Sequence, residues 1–97
     1  MDKPKARCVR VNGKDYLYDS RFDFYPYAYF DVHKSELDLV FKIAKSIERR
    51  CRKRFKTARF CSLKAYCRHL NNLFEIKVCF SISEEERLAF QNPRKES

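Results

Sequence analysis

Three sets of side chains in this chain have the types and spacing to do chemistry. The first is cationic. Lys42, Lys45, Arg49, Arg50, Arg52, Lys53, Arg54 and Lys56 are packed into one short stretch, and Arg59, Lys64 and Arg68 follow. From Lys42 to Arg68 these eleven Lys and Arg face a single acid, Glu48, so the window carries +10 and the remainder of the chain −1. A localised field of that sign suits a polyanion or an acidic protein surface. Lys and Arg aligned on one face gain affinity for nucleic acid by releasing its condensed counterions.

The second set could ligate a metal. Cys51, Cys61, Cys67, His69 and Cys79 contain enough thiol and imidazole for a zinc site, but there is no C-x-x-C and no H-x-x-x-H. Cys51 and Cys67 also fall on apolar stripes at helical spacing, so small buried thiols are the expectation, with no metal and no cofactor. Cys79, on the polar side of a strand pattern, is the thiol expected to react. The third set could catalyse. His33 and His69 lie beside no nucleophile motif, and Gly13, the one glycine, rules out a glycine-rich phosphate loop. Glu84, Glu85 and Glu86 read as the acidic first turn of a helix. Asp23 and Asp31 have nothing to specify them as a metal pair. The chain is therefore not read as an enzyme, and no catalytic residue is assigned.

The elements that must position the cations can be read next. Residues 35–56 wound as a helix put Leu37, Val40, Phe41, Ala44, Ile47, Cys51 and Phe55 on one side. Lys42, Lys45, Arg49, Arg52, Lys53 and Lys56 fall almost opposite. Ser35 with Asp38 resembles a capping box, which places a long amphipathic helix at about 36–55. Its first three turns are expected to be buried on two sides and its last two to project, with Arg50 and Arg54 on the flank. Upstream, Asn12-Gly13 joins two strand-like runs, the strongest short-range signal of a type I′ hairpin. Residues 22–30 hold six aromatics in nine positions. Pro26 makes this an irregular or edge strand. Its tyrosines could stack on unpaired bases, but the neighbours are Asp23 and Asp31 rather than interleaved Lys and Arg, so packing over the core is preferred.

Downstream, Leu63, Tyr66, Cys67 and Leu70 recur at i, i+3, i+4, i+7 and predict a second helix at 62–71, with Asn71-Asn72 at its end. Phe74, Ile76, Val78, Phe80 and Ile82 alternate with polar residues and predict a strand at 73–82. Ser83 and Glu86 form a capping box for a short C-terminal helix. The expected fold is α+β: a small antiparallel sheet, made of the N-terminal hairpin and strand 73–82, against the long helix and the second helix. Residues 1–97 read as one domain, with 1–5 and 93–97 as flexible tails.

Composition sets the outer bounds. At 44% hydrophobic residues the chain can fill a modest core, while a mean hydropathy of −0.67 and 36% charge leave no run suited to a membrane span. The opening MDKPKARCVRV lacks the apolar core of a signal peptide, and five cysteines is an odd number, so a reducing, cytoplasmic setting is expected. The function these readings favour is nucleic-acid binding, to DNA or RNA, through phosphate contacts from the eleven Lys and Arg of the 42–68 window. The alternative is a protein-interaction module, an inhibitor or adaptor, that docks its basic helix or aromatic segment on an acidic partner.

Overall fold

The computed structural model describes residues 7–67 and 72–91. It is an α+β structure. The strands are β1 (Arg7–Val11), β2 (Lys14–Arg21), β3 (Tyr27–His33), β4 (Arg59–Cys67) and β5 (Leu73–Ser81). They form one antiparallel sheet in the order β1-β2-β3-β5-β4. A 3-10 helix (Lys34–Leu39) and helix α1 (Val40–Cys51) connect β3 to β4, and helix α2 (Glu84–Gln91) follows β5.

The hairpin forms as its sequence requires. Asn12 and Gly13 both take positive φ, 53° and 78°, and Val11 pairs with Lys14 across the turn. Alternation then sends Val9, Val11, Tyr16 and Tyr18 to one face, together with Ala28, Phe30 and Val32 of β3 and Ile76, Val78 and Phe80 of β5. Helix α1 covers that face with Val40, Ile43, Ala44, Ile47 and Cys51, at i, i+3, i+4, i+7 and i+11. The opposite face of the sheet carries Tyr27, Tyr29, Lys64 and Lys77.

The aromatic segment is not an edge. Pro26 is fully buried and stands one residue ahead of β3, where its missing N–H removes no ladder bond, and its carbonyl accepts from the Phe80 amide at 3.0 Å. From Tyr27 onward the strand pairs on both sides, with β2 and with β5, so it lies inside the sheet. Phe30 faces the core as expected, whereas Tyr27 and Tyr29 face outward.

The second helix at 62–71 is replaced by strand β4; residues 68–71 of that expectation lie outside the described residues. A bulge between Phe60 and Ser62 turns Phe60, Leu63, Ala65 and Cys67 toward the α1 side, and Ser62, Lys64 and Tyr66 away from it. The open edge of β5 supplies a partner for eight residues of β4 that a solitary amphipathic helix would have lacked. Asn72 does adopt the left-handed conformation (φ 52°), at the entry to β5 rather than at a helix end. Cys67 is exposed, not buried.

The long helix at 36–55 is divided. Glu36 leaves helical geometry (φ −111°, ψ 15°) because its carboxylate turns back to the sheet, where Lys14 and the Tyr16 hydroxyl donate to it. Ser35 is not the cap: His33 Nδ1 accepts from the Ser35 amide, and Glu36 accepts from the His33 amide. Regular helix begins at Val40, which rotates Phe41 out to 61% exposure and leaves Leu37 exposed as well. Nor do the last two turns project. Beyond Cys51 the chain tightens through Lys53 N–H to Arg50 O and Arg54 N–H to Cys51 O, which drives Phe55 and Ala58 into the core.

Helix α2 locks that bend. Ser83 Oγ accepts from the Glu86 amide as a cap should. The Glu86 carboxylate does not complete the box; it accepts instead from the Lys56 and Thr57 amides and the Thr57 hydroxyl. Phe90 meets Phe55 edge to face at 5.5 Å. The expected tails, 1–5 and 93–97, lie outside the described residues, and among the described residues no helix is long and apolar enough to cross a membrane.

Candidate nucleic-acid interface

The described cations of the 42–68 window, Lys56 apart, separate into four groups once folded. Lys42, Lys45 and Arg49 lie at i, i+3 and i+7 on α1, on the side turned from the sheet. Their side chains make no ion pair or hydrogen bond among the described residues. A groove of about 350 Å³ runs beside them and is completed by Arg10 and Val11 of β1, Ser46 and the exposed ring of Phe41. Arg10 itself is held by Asp15 at 2.9 Å.

Arg50, Lys53 and Arg54 form the second group. They converge at the end of α1 on a cleft of about 650 Å³ that Arg7, Ser20 and Phe22 also line. Arg50 Nη2 donates to the Cys8 carbonyl and Arg54 Nε to the Phe22 carbonyl, each at 2.9 Å. The Arg54 guanidinium also lies 5.2 Å from the Phe90 ring centre and 5.5 Å from that of Phe55.

Arg52 stands alone in the third group, because its charge is engaged internally. Its Nε donates to the Ala58 carbonyl at 3.1 Å and its Nη2 lies 3.4 Å from Glu48. Glu48 is the buried acid among the described residues, at 6% exposure, and it also accepts from the Phe60 amide at 2.8 Å. The one acid of the basic window therefore fixes the start of β4 to α1, and Arg52 offsets its burial. Lys56 extends from the following bend, where α2 holds its amide.

Arg59 and Lys64 belong to β4 and point away from α1. Lys64 pairs in register with Lys77, whose ammonium lies 5.2 and 5.7 Å from the rings of Tyr27 and Tyr29. These residues are separated from the α1 stripe by the sheet itself and cannot share one contact surface with it. Arg68 lies outside the described residues. Of the expected patch, then, the α1 stripe and the cleft are contiguous through Arg49, Arg50 and Lys53, and the rest is dispersed.

Sequence reading missed Arg7, Arg10, Ser20, Phe22 and Phe41. Arg7 carried a usable signal: it shares the alternation of Val9 and Val11, and so stands on the α1 side of the sheet beside the basic helix. The five cysteines are free thiols, with Cys51 buried and Cys61 and Cys67 exposed. Burial pushes the Cys51 thiol up to about 12, so it is inert at neutral pH. Cys79 is half-buried, and the exposed Cys61 and Cys67 are the more accessible thiols. The chain matches no known family model, no curated protein and no solved structure.

Proposed function

We propose that the protein binds nucleic acid by its phosphate backbone, along the stripe of Lys42, Lys45 and Arg49 on α1. The observation that carries this reading is that the stripe is a row of cations whose side chains have no partner among the described residues, while neighbouring Arg52 is paired with the buried Glu48. Cations in a row with no carboxylate beside them retain their counterion-releasing capacity, whereas one paired with a carboxylate loses much of it. One feature favours the second reading, an acidic protein partner. Phe41 is exposed and lines the cationic groove, and exposed aromatic residues are enriched in protein contacts.

Titration of a labelled oligonucleotide at several salt concentrations tests the reading. Affinity is expected to fall with salt at a log–log slope of about −0.9 per duplex phosphate contacted. Replacing Lys42, Lys45 and Arg49 together by Gln is expected to flatten that slope by up to roughly three contacts' worth, with unchanged circular dichroism. Absence of binding by the folded parent at low salt overturns it. A partner captured equally from nuclease-treated and untreated lysate, and lost with Phe41→Ala, moves the assignment to the protein-interaction reading.

A further inference from the structure

We infer that the cleft at the end of α1 is a pocket for a phosphomonoester, and specifically for the terminal phosphate of a nucleic-acid strand whose following phosphates run along α1. The inference rests on the nucleic-acid reading and adds a polarity to it: the strand has an end, and the end is held here.

Three observations meet at the site. The first is composition. Arg7, Arg50, Lys53 and Arg54 line the cleft with Ser20 and Phe22, and among the described residues no carboxylate does. Four cations around one volume of about 650 Å³ exceed what an internal phosphodiester, with one charge, can use. A terminal phosphate carries about −1.5 to −2 and three acceptor oxygens on a single atom.

The second is pre-organisation. Arg50 and Arg54 each spend one guanidinium N–H on a backbone carbonyl, of Cys8 and Phe22 respectively, and Arg54 is also flanked by the rings of Phe55 and Phe90. A guanidinium has five N–H donors in a fixed fork. Held by one, it offers the remainder in a set direction, so little side-chain freedom is lost on binding an anion. Lys53 and Arg7, whose side chains are held by no such bond among the described residues, supply mobile charge to the same cleft. The third is continuity. Arg49 adjoins Arg50 in sequence and belongs to the unpaired stripe with Lys45 and Lys42, so a strand leaving the cleft meets a row of cations at helical spacing. A phosphorylated protein side chain would present the same monoester but has no further phosphates for that row, which is why the strand end is favoured.

The experiment compares short oligonucleotides of one sequence bearing a 5′-phosphate, a 3′-phosphate or hydroxyls at both ends, titrated against the full chain at fixed salt. One phosphorylated end is expected to bind about tenfold tighter than the hydroxyl form. Arg7→Gln with Lys53→Gln is expected to abolish that ratio while lowering affinity for the hydroxyl oligonucleotide much less. Lys42→Gln with Lys45→Gln is expected to weaken all three oligonucleotides and to preserve the ratio. None of these four residues lies in the core, and circular dichroism serves as the folding control. Equal affinity for all three ends overturns the terminal-phosphate pocket and leaves backbone binding standing. Failure of every oligonucleotide to bind at low salt overturns the nucleic-acid reading itself, and a phosphoserine peptide that binds the parent but not the Arg7→Gln, Lys53→Gln variant then gives the cleft to a protein ligand.

Discussion

Glu36 joins three parts of the chain through one carboxylate. It accepts from Lys14 and Tyr16 of β2 and from the His33 amide that ends β3. The Lys14 hydrogen bond, with those of His33 and Tyr16, holds its carboxyl down at about 2, against an ordinary 4.5. A carboxylate depressed in the folded state contributes stability that is present above pH 4.5 and is lost as the pH falls through 2. Glu86 acts in the same direction: burial pushes it up, but hydrogen bonds from Thr57 and the Lys56 amide outweigh that and hold it low. Glu36→Gln is therefore expected to reduce stability at pH 7 and to shrink the loss between pH 5 and pH 3. Urea unfolding at the three pH values measures this. Parent and variant curves that stay parallel across the range would show that the Glu36 contacts do not contribute.

At the level of elements, most of the local structure was legible and the sheet was not. Asn12-Gly13, the alternation of Phe74 to Ile82 and the Ser83 cap each rest on short-range chemistry, and each forms where that chemistry puts it. The stretch 59–67 was misread because it satisfies two periods. Leu63, Tyr66 and Cys67 suit a helix, while Leu63, Ala65 and Cys67 alternate with Ser62, Lys64 and Tyr66 as a strand. The decision belongs to β5, whose edge is distant in sequence and invisible in a local pattern. Glu48 and Glu36 were likewise legible as acids but not as tethers, since their partners lie 12 and 22 residues away. Amide hydrogen exchange separates the two readings of 59–67. As an edge strand, β4 bonds through one side only, so every second amide is expected to be protected and its neighbours to exchange quickly. Protection of consecutive amides would return the segment to a helix. On the other edge Arg50 occupies the Cys8 carbonyl of β1, which obstructs strand addition at that point.

For the whole molecule, one layer of helix on one sheet means that the core has a single seam, and Ala44 lies in it with no exposed surface. Ala44→Arg would place an unpaired charge, and more volume than the seam holds, at its centre. Domains of this size have about 5–15 kcal/mol of stability in total, and a buried unpaired charge removes several kcal/mol or more. The variant is expected to lose its cooperative thermal transition by circular dichroism, whereas Lys45→Gln on the reverse side of the same helix turn should keep it. A cooperative transition close to that of the parent in Ala44→Arg would mean that α1 does not pack on the sheet as described.

The strand order has a bearing on how the chain reaches this state. β5 is the last strand in sequence, yet it lies between β3 and β4, pairing with seven residues of one and eight of the other. Until residues 73–81 emerge during synthesis, β3 has an open edge, β4 has no neighbour at all, and the core lacks Ile76, Val78 and Phe80. The chain ahead of β5 can form the hairpin and wind α1, but cannot close. Folding is thus gated by a late, long-range insertion of one strand between two that are waiting for it, the kind of step that slows sheet proteins and exposes unpaired edges on the ribosome.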